Sequence, residues 1–582
     1  MKYIFLSFLL LAVFCGNILS QDLPKGLTPE EALIYDSYIK SYIPPLTGDD
    51  PNPPFSPVRT MAEWEEFSAV QITWTSYTSI LAQMVDYIQD ECLVLIVCTD
   101  SNSVKSQLTS YGVPLINLRF IHAPYNTIWC RDYGAWTIYT NDIDSLRMID
   151  WVYNRPRPLD DNIPTYVANY YGVTLHQMTQ NPNRIVATGG NFMVDGFGTA
   201  FSSKLILNEN PTLTEAQIDT MMRKYMGIKR YVFMENLPYD GIHHIDMHMK
   251  LLDEETLMVG QYPLGVADGP QIELNLQYVL NNYQTCFNRP YKVVRIPMPP
   301  SSTGQYPPNS SYFTYTNSLI VNKTVMVPIY GFSQDTTALR IYRDAMPGYR
   351  VVGILCNAII PSSGAIHCIA KEIGVVEPVV IYHPSIRLAT ATMPNYEVKA
   401  SIKTKSGVSN AKVYWTADTT QGFQQLNMTV VNDTFRAYIP SQPLNTKVYY
   451  YISATSNSSK TVRKPMTAPS GNFRFTVTNP TNITGNKIIP EKFELEQNYP
   501  NPFNSMTKIK FNIPLWREER GRIITLKVFD MLGREVKSLV NESLQPGTYE
   551  ITFDAGNLPG GIYFIKLEAG EFSDVKKLVY LK

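Results

Sequence analysis

Net charge is nearly absent from this 582-residue chain: 50 basic residues nearly cancel 51 acidic ones. A balance that even excludes recognition of a bulk polyanion such as nucleic acid by net charge. Cysteine is scarce, seven in all, too few for the disulfide scaffold of a small secreted domain. Cys92 and Cys98 share one strand-like run and lie about 20 Å apart at about 3.3 Å per residue, so they cannot bridge each other. Glycine (32) is outnumbered by proline (41), and 38 tyrosines accompany them, which favours turns and edge strands over long helical arrays. Long apolar runs are absent too. The longest begins at Tyr3 and ends at Phe14, short of the about 20 residues of a membrane span.

That run follows Met1 and Lys2 and precedes Gly16 to Gln21, the order of a secretory signal peptide cleaved near Ser20. Bulky Phe14 before Cys15 fits lipid attachment poorly. Export through the Sec route to the periplasm is therefore expected, with no transmembrane segment in the mature chain. A hydrophobic content of 44% is enough for several cores, and about 150 residues per domain gives three or four of them.

Texture divides the chain further. Residues 1–20 are the signal peptide, and 21–56, rich in proline, form an arm or pro-segment with one short helix near Pro29 to Tyr42. From 57 to 394 short strands alternate with amphipathic helices, for example a strand at Leu93 to Thr99, a helix at Thr214 to Met226 and a strand at Thr324 to Tyr330. Strand-rich units recur there every 50 to 70 residues or so. Residues 395–478 alternate polar and apolar at sandwich spacing, as in Tyr396 to Ile402, Ala411 to Trp415 and Lys447 to Ala454, which suggests an immunoglobulin-like module without a site of its own. A polar linker, 479–490, leads to a last all-β unit, 491–582, with turns at Gln545 and at Leu558 to Gly561.

Three of the seven histidines fall between Gly241 and Lys250, ahead of a turn at Asp253 to Glu255. Read as a strand, the segment puts His244, Asp246 and His248 on one face. Histidine beside a carboxylate suits acid/base chemistry. Zinc binding by the same three stays open, although no further His or Cys cluster supplies ligands. Cys368, after the small residues Ser362 to Ala365, is a candidate nucleophile, although a lone buried cysteine is more often inert. Trp129 to Trp136 contains Arg131 and Asp132 beside a turn, and Ser311 to Ser318 contains Asn317. Singly, none of these names a reaction.

In order, however, they form a pattern: Met61 to Glu65, Trp129 with Arg131, Asp132 and Gly134, Gly189 to Phe192, His244 with Asp246, Asn317 with Pro328 and Gly331, and Gly364 to Cys368. This set resembles the guanidino-group-modifying superfamily, in its agmatine deiminase and bacterial, Porphyromonas-type peptidylarginine deiminase branch. Ala135 departs from the proline usual after that glycine. The resemblance implies an α/β fold, a pseudo-symmetric propeller of five blades (a pentein). It also implies Cys368 as thiolate nucleophile, Asp132 and Asp246 holding the guanidinium, His244 as acid and base, and Asn317 orienting the nucleophile or its neighbours. Trp129 joins the substrate site. No metal or other cofactor is required, although a structural calcium or sodium ion is compatible.

Residues Trp151 to Asp161 place Arg155 and Arg157 in a loop stiffened by Pro156 and Pro158, and they resemble the arginine pair with which the peptide-acting enzymes grip a C-terminal carboxylate. Two planar donors suit one carboxylate; the alternative is a surface loop paired with Asp160 and Asp161. Peptides or proteins ending in arginine are the expected substrates. Alternatives are a secreted agmatine or free-arginine deiminase, a cysteine peptidase, and a non-catalytic surface binding protein. Finally, Phe493 to Asn504, Val528 to Gly533, Gly547 to Tyr549 and Gly560 to Tyr563 resemble the C-terminal sorting domain of type IX secretion, a small β-sandwich. That implies the type IX machinery as a partner and release or attachment at the outer-membrane surface.

Overall fold

The computed structural model describes residues 23–42, 44, 50–479, 492–514, 523–543, 547–556, 558–570 and 572–581. The expected signal peptide, nearly all of the linker and the turn at Gln545 lie outside them.

One motif repeats through the α/β region: an antiparallel hairpin, a helix, then a strand parallel to the hairpin's second member. The hairpins open at Trp136, Met193, Met249 and Leu319. Their helices are Ile163–Tyr171, Glu215–Met226, Gly269–Asn282 and Gln334–Ala345. Parallel strands follow at Leu175–Met178, Arg230–Met234, Lys292–Pro297 and Arg350–Leu355. A fifth copy is split between the ends of the region. Lys371–Gly374 pairs antiparallel with Phe67–Thr73, which continues through the helix Thr78–Ile88 to Leu93–Cys98. Among the described residues between Val58 and Gly374, these strands make five small sheets.

The local chemistry is ordinary. Thr214 caps the helix Glu215–Met226 in a reciprocal capping box with Gln217, and Gly227, at φ +69°, ends it. Hairpin members such as Val325, Met326 and Val327 are wholly buried, each contributing about 1.5–3 kcal/mol through burial. The strands expected near Leu93 and Thr324 are found at Leu93–Cys98 and Thr324–Ile329.

The reading of Gly241 to Lys250 as a strand is overturned. Ile245–Met247 is a single 3₁₀ turn, and the strand begins only at Met249. Polar residues at alternate positions mimic a strand, but His243 takes φ +55°, and the main-chain N–H groups of Ile242 and His244 bind the Asp240 carboxylate. That side chain offers the backbone an alternative to a ladder.

Contacts divide the chain into two units, one with residues 1–386, 397–439 and 448–474, the other with 387–396, 440–447 and 475–582. In the first, the β module beyond the α/β region is attached by ion pairs, of which Lys464 with Glu254 is the most buried. Its strands form two sheets, and Asn395–Thr404 alternates buried and outward residues as expected. In the second unit, Phe503, Phe511, Phe553, Ile565 and Leu567 fill a core between two further sheets. No helix among the described residues is long and apolar enough to cross a membrane.

Candidate active site

The same place in every repeat carries the chemistry: the turn just before the hairpin's first strand. Asp132 lies in the four-residue helix Cys130–Tyr133 ahead of Trp136. Gly190 lies in the turn Gly189–Asn191 ahead of Met193. His244 and Asp246 precede Met249, Asn317 precedes Leu319, and Cys368, in the turn His367–Ile369, precedes Lys371. Residues far apart in sequence thereby meet at one point.

Cys368 is fully buried, and Asn317 Nδ2 lies 3.2 Å from its Sγ. Asn317 Oδ1 accepts the His367 main-chain N–H at 3.1 Å, so one amide fixes the thiol and the turn that carries it. Asp246 Oδ2 lies 3.7 Å from the sulfur. Across the site, Asp132 Oδ1 accepts the Gly190 N–H at 3.0 Å and faces His244 Nδ1 at 3.6 Å. A Cβ on Gly190 would stand 2.5 Å from that nitrogen and 2.8 Å from Asp132 Oδ1, which leaves room only for glycine.

Burial governs the protonation states. It pushes the Cys368 thiol up to about 12, helped by the charges of Asp246 and Asp132. Burial, with Lys25, carries His244 well below its ordinary value, so the imidazole rests neutral. Burial also raises Asp132, partly countered by Lys25. For Asp246 burial acts upward, yet Lys25 and the His367 hydrogen bond outweigh it and hold the carboxyl well below the usual range.

Several of these partners carried no assigned role in the sequence. His367 bridges Asp246 Oδ2 (2.8 Å from Nδ1) and Glu63 Oε2 (3.1 Å from Nε2), and Glu63 is in turn paired with Lys250. Glu63 and His367 stood inside the strings that carried the resemblance, and that was the available signal. Lys25 gave none. It lies in the arm, wholly buried, its ammonium 2.8 Å from Cys368 Sγ and 3.9 Å from both Asp132 Oδ1 and Asp246 Oδ1. Burial opposes its charge, but those three groups together raise its pKa above the ordinary lysine value.

Arg155 and Arg157 are buried rather than on a surface loop, and they face the arm. Arg155 Nε donates to the Lys25 carbonyl at 3.0 Å; Arg157 donates to the Pro24 and Gly26 carbonyls and forks onto Glu31. Asp160 and Asp161 are taken by main-chain N–H groups instead, of Asn126 and Thr127 and of Tyr153. Trp129 Nε1 donates to the Leu23 carbonyl. His248 is buried with its pKa lowered to about 4, outside this constellation. Among the described residues no group of three or more His, Cys, Asp or Glu is arranged to hold a metal ion. A thiol, two carboxylates and an imidazole converging on a cationic head can bind a planar cation and attack its carbon.

Residues 59–373 match the Porphyromonas-type peptidyl-arginine deiminase family, and 497–581 match the secretion system C-terminal sorting domain. A protein of Vibrio parahaemolyticus with the provisional name agmatine deiminase is 25% identical over 294 residues, 44% of this chain and 78% of that one. A Legionella pneumophila protein of the same provisional name is 26% identical over 301 residues, 47% of this chain and 78% of its own. Among solved structures, a Porphyromonas gingivalis protein provisionally called an arginine deiminase is 22% identical, with a TM-score of 0.48 over 54% of this chain and 98% of that one. The agmatine deiminase of Enterococcus faecalis is 20% identical, with a TM-score of 0.47 over 54% and 95%. On a match that spans more than half of its length, this chain belongs to the Porphyromonas-type peptidyl-arginine deiminase family and carries a type IX secretion sorting domain.

Proposed function

We propose that this protein is an exported peptidylarginine deiminase, converting arginine, at a peptide C-terminus by preference, to citrulline and ammonia. The observation that carries the reading is the convergence of Cys368, Asp132 and Asp246 on one cationic head group. Family membership makes it a guanidino-group hydrolase, and the sorting domain directs it to secretion or the cell surface. The five repeated sheets are those of a five-bladed α/β propeller, and the two-sheet module after them is immunoglobulin-like.

Guanidinium stays protonated in proteins and presents a planar fork. Asp132 and Asp246 hold it bidentately and aim its carbon at Cys368. The reacting form is Cys368 thiolate with protonated His244, which holds the same protons as neutral thiol and imidazole. Cationic substrate favours the thiolate, and Asp132 favours the imidazolium. Sulfur adds to the carbon, His244 gives its proton to one nitrogen, and ammonia leaves, so a thiouronium remains on Cys368. His244 then takes a proton from water, the resulting hydroxide adds, and the C–S bond breaks as the hydroxyl proton passes to solvent, where the released ammonia takes it up as ammonium. Citrulline and the thiolate are released, with no metal needed. Asn317 keeps the sulfur aligned, and Arg155 and Arg157 bind the carboxylate beside the reacting side chain.

The test offers the protein a peptide ending in arginine, the same peptide with internal arginine, and agmatine, with Cys368→Ala as control. Citrulline at the C-terminal position alone, lost in the control, supports the reading. Turnover of agmatine alone overturns the peptide assignment.

A further inference from the structure

We infer that residues 23–31 of this chain are a built-in pseudosubstrate, with Lys25 lying where a substrate arginine lies, and that the exported chain is latent until this segment is displaced. The inference rests on the deiminase reading, and it concerns what occupies that site.

Three observations carry it. The first is position. The Lys25 ammonium touches Cys368 Sγ at 2.8 Å and is shared by Asp132 and Asp246. This is the cation that a substrate supplies, with one difference that matters. An ammonium has no electrophilic carbon, so the thiol has nothing to attack and the occupant survives.

The second is the main chain around it. Leu23 O accepts from Trp129, Pro24 O and Gly26 O from Arg157, and Lys25 O from Arg155, while Lys25 N donates to Ser362 O at 3.1 Å. Every contact is to backbone, so the cradle fits any sequence that offers a long cationic side chain. The Lys25 carbonyl lies on Arg155, where one oxygen of a C-terminal carboxylate would lie.

The third is the anchor. Glu31 takes the Arg157 fork through both carboxylate oxygens and also closes the capping box with Thr28 at the start of the helix Pro29–Ser41. That helix buries no residue of its own; beyond Glu31 and Lys25 the arm is held by polar contacts, Arg184 donating to the Ile39 and Tyr42 carbonyls, rather than by a core. A tethered occupant competes at an effective concentration in the mM range, yet the absence of an apolar anchor makes it removable by a cut or a modest pull. Signal-peptide cleavage near Ser20 leaves Lys25 in place, so activation needs a further event.

The experiment uses the full exported chain in five forms: wild type, Lys25→Ala, Glu31→Ala, and Lys25→Arg with and without Cys368→Ala. Lys25→Ala and Glu31→Ala are expected to raise kcat/KM for an added arginine peptide more than tenfold. Glu31→Ala leaves the lysine intact, so it answers the question if Lys25→Ala folds poorly. Lys25→Arg supplies the missing carbon: residue 25 is expected to become citrulline, its guanidinium exchanging one nitrogen for oxygen from water as ammonium leaves. Peptide mapping would find that modification only with Cys368 present.

Equal activity of wild type and both arm variants on added peptide would overturn the latency. So would loss of activity in Lys25→Ala alone, because Lys25 would then be a working part of the site. An active Lys25→Ala beside an unmodified Lys25→Arg would remove the pseudosubstrate geometry while leaving the deiminase intact. If no form converts any arginine compound, the deiminase reading falls and takes this inference with it.

Discussion

Replacing Asp246 by asparagine removes one charge and almost no volume. Asp246 is 7% exposed; its Oδ2 accepts from His367 Nδ1 at 2.8 Å, and its Oδ1 faces the bound cation at 3.9 Å. Asparagine keeps an acceptor for His367 but leaves the guanidinium with one carboxylate. Losing one partner of a buried ion pair costs about 3–5 kcal/mol. At about 1.4 kcal/mol per factor of ten, kcat/KM for a C-terminal-arginine peptide falls by between about a hundred and a few thousand fold. The assay is citrulline formation, run in the Lys25→Ala chain so that loss of the arm's own partner does not offset the effect. In a Cys368→Ala background, calorimetry reads the binding share separately, and a comparable loss of affinity is expected. A fall of less than tenfold, with the far-UV spectrum unchanged, would refute the two-carboxylate clamp.

Gly190→Ala places a methyl 2.5 Å from His244 Nδ1, where neither backbone nor imidazole has room, so kcat drops at least a hundredfold while thermal stability falls by a few degrees. Unchanged turnover would show that His244 is free to move. In the Lys25→Ala chain, where the arm no longer occupies the site, Arg155→Ala and Arg157→Ala each remove a charge-assisted hydrogen bond of about 1.5–3 kcal/mol and raise KM for a C-terminal-arginine peptide about ten- to a hundredfold, leaving any turnover of agmatine untouched. Equal losses on both substrates would mean that the pair only supports the fold. Burial pushes the Cys368 thiol up to about 12, so its thiolate fraction, and with it alkylation by iodoacetamide in the Lys25→Ala chain where the arm does not cover the sulfur, climbs tenfold per pH unit from 7 to 10. A plateau near pH 9 at Cys368, read by peptide mapping, would mean an ordinary thiol. His367→Asn releases Asp246 and Glu63 together, and a ten- to hundredfold loss in kcat with little change in KM is expected from one charge-assisted bond.

How far the site could be read from the chain follows from which interactions are local. Helix and hairpin boundaries near Leu93, Thr214 and Thr324 were legible because caps, periodicity and turn residues act within a few positions. The segment from Gly241 to Lys250 misled for the same reason. Alternating polar residues are a local signal, and a side-chain cap by Asp240 competed with the ladder and won. Residues of known type at motif positions, Asp132, His244, Asp246, Asn317 and Cys368, could be named in advance, although period alone did not bring them together. His367 and Glu63 were visible only as letters in motifs, since their role depends on a pairing across 304 residues of sequence. Lys25 was beyond reach, because nothing in a proline-flanked lysine says that it will be buried against a thiol.

Electrostatics explains why such an occupant is favoured at all. Asp132 and Asp246 are buried side by side, and of the ionic partners around them His244 rests neutral while His367 already bridges Asp246 and Glu63. Two carboxylates in that setting, short of one cation, are costly: one must take up a proton or a positive group must enter. The catalytic region therefore creates a demand for a single buried cation on a long apolar stem. Arginine, lysine and agmatine all meet it; the electrophilic carbon sets arginine and agmatine apart from lysine, and on the proposed function Arg155 and Arg157, which here hold main-chain carbonyls, set peptide arginine apart from agmatine. The same demand lets a lysine from the chain's own arm fill the site with no further design than a backbone path to reach it. On the proposed function, selectivity among guanidinium compounds thus lies outside the reacting centre, in two arginines that here hold carbonyl oxygens, while the centre itself selects for charge, reach and an electrophilic carbon.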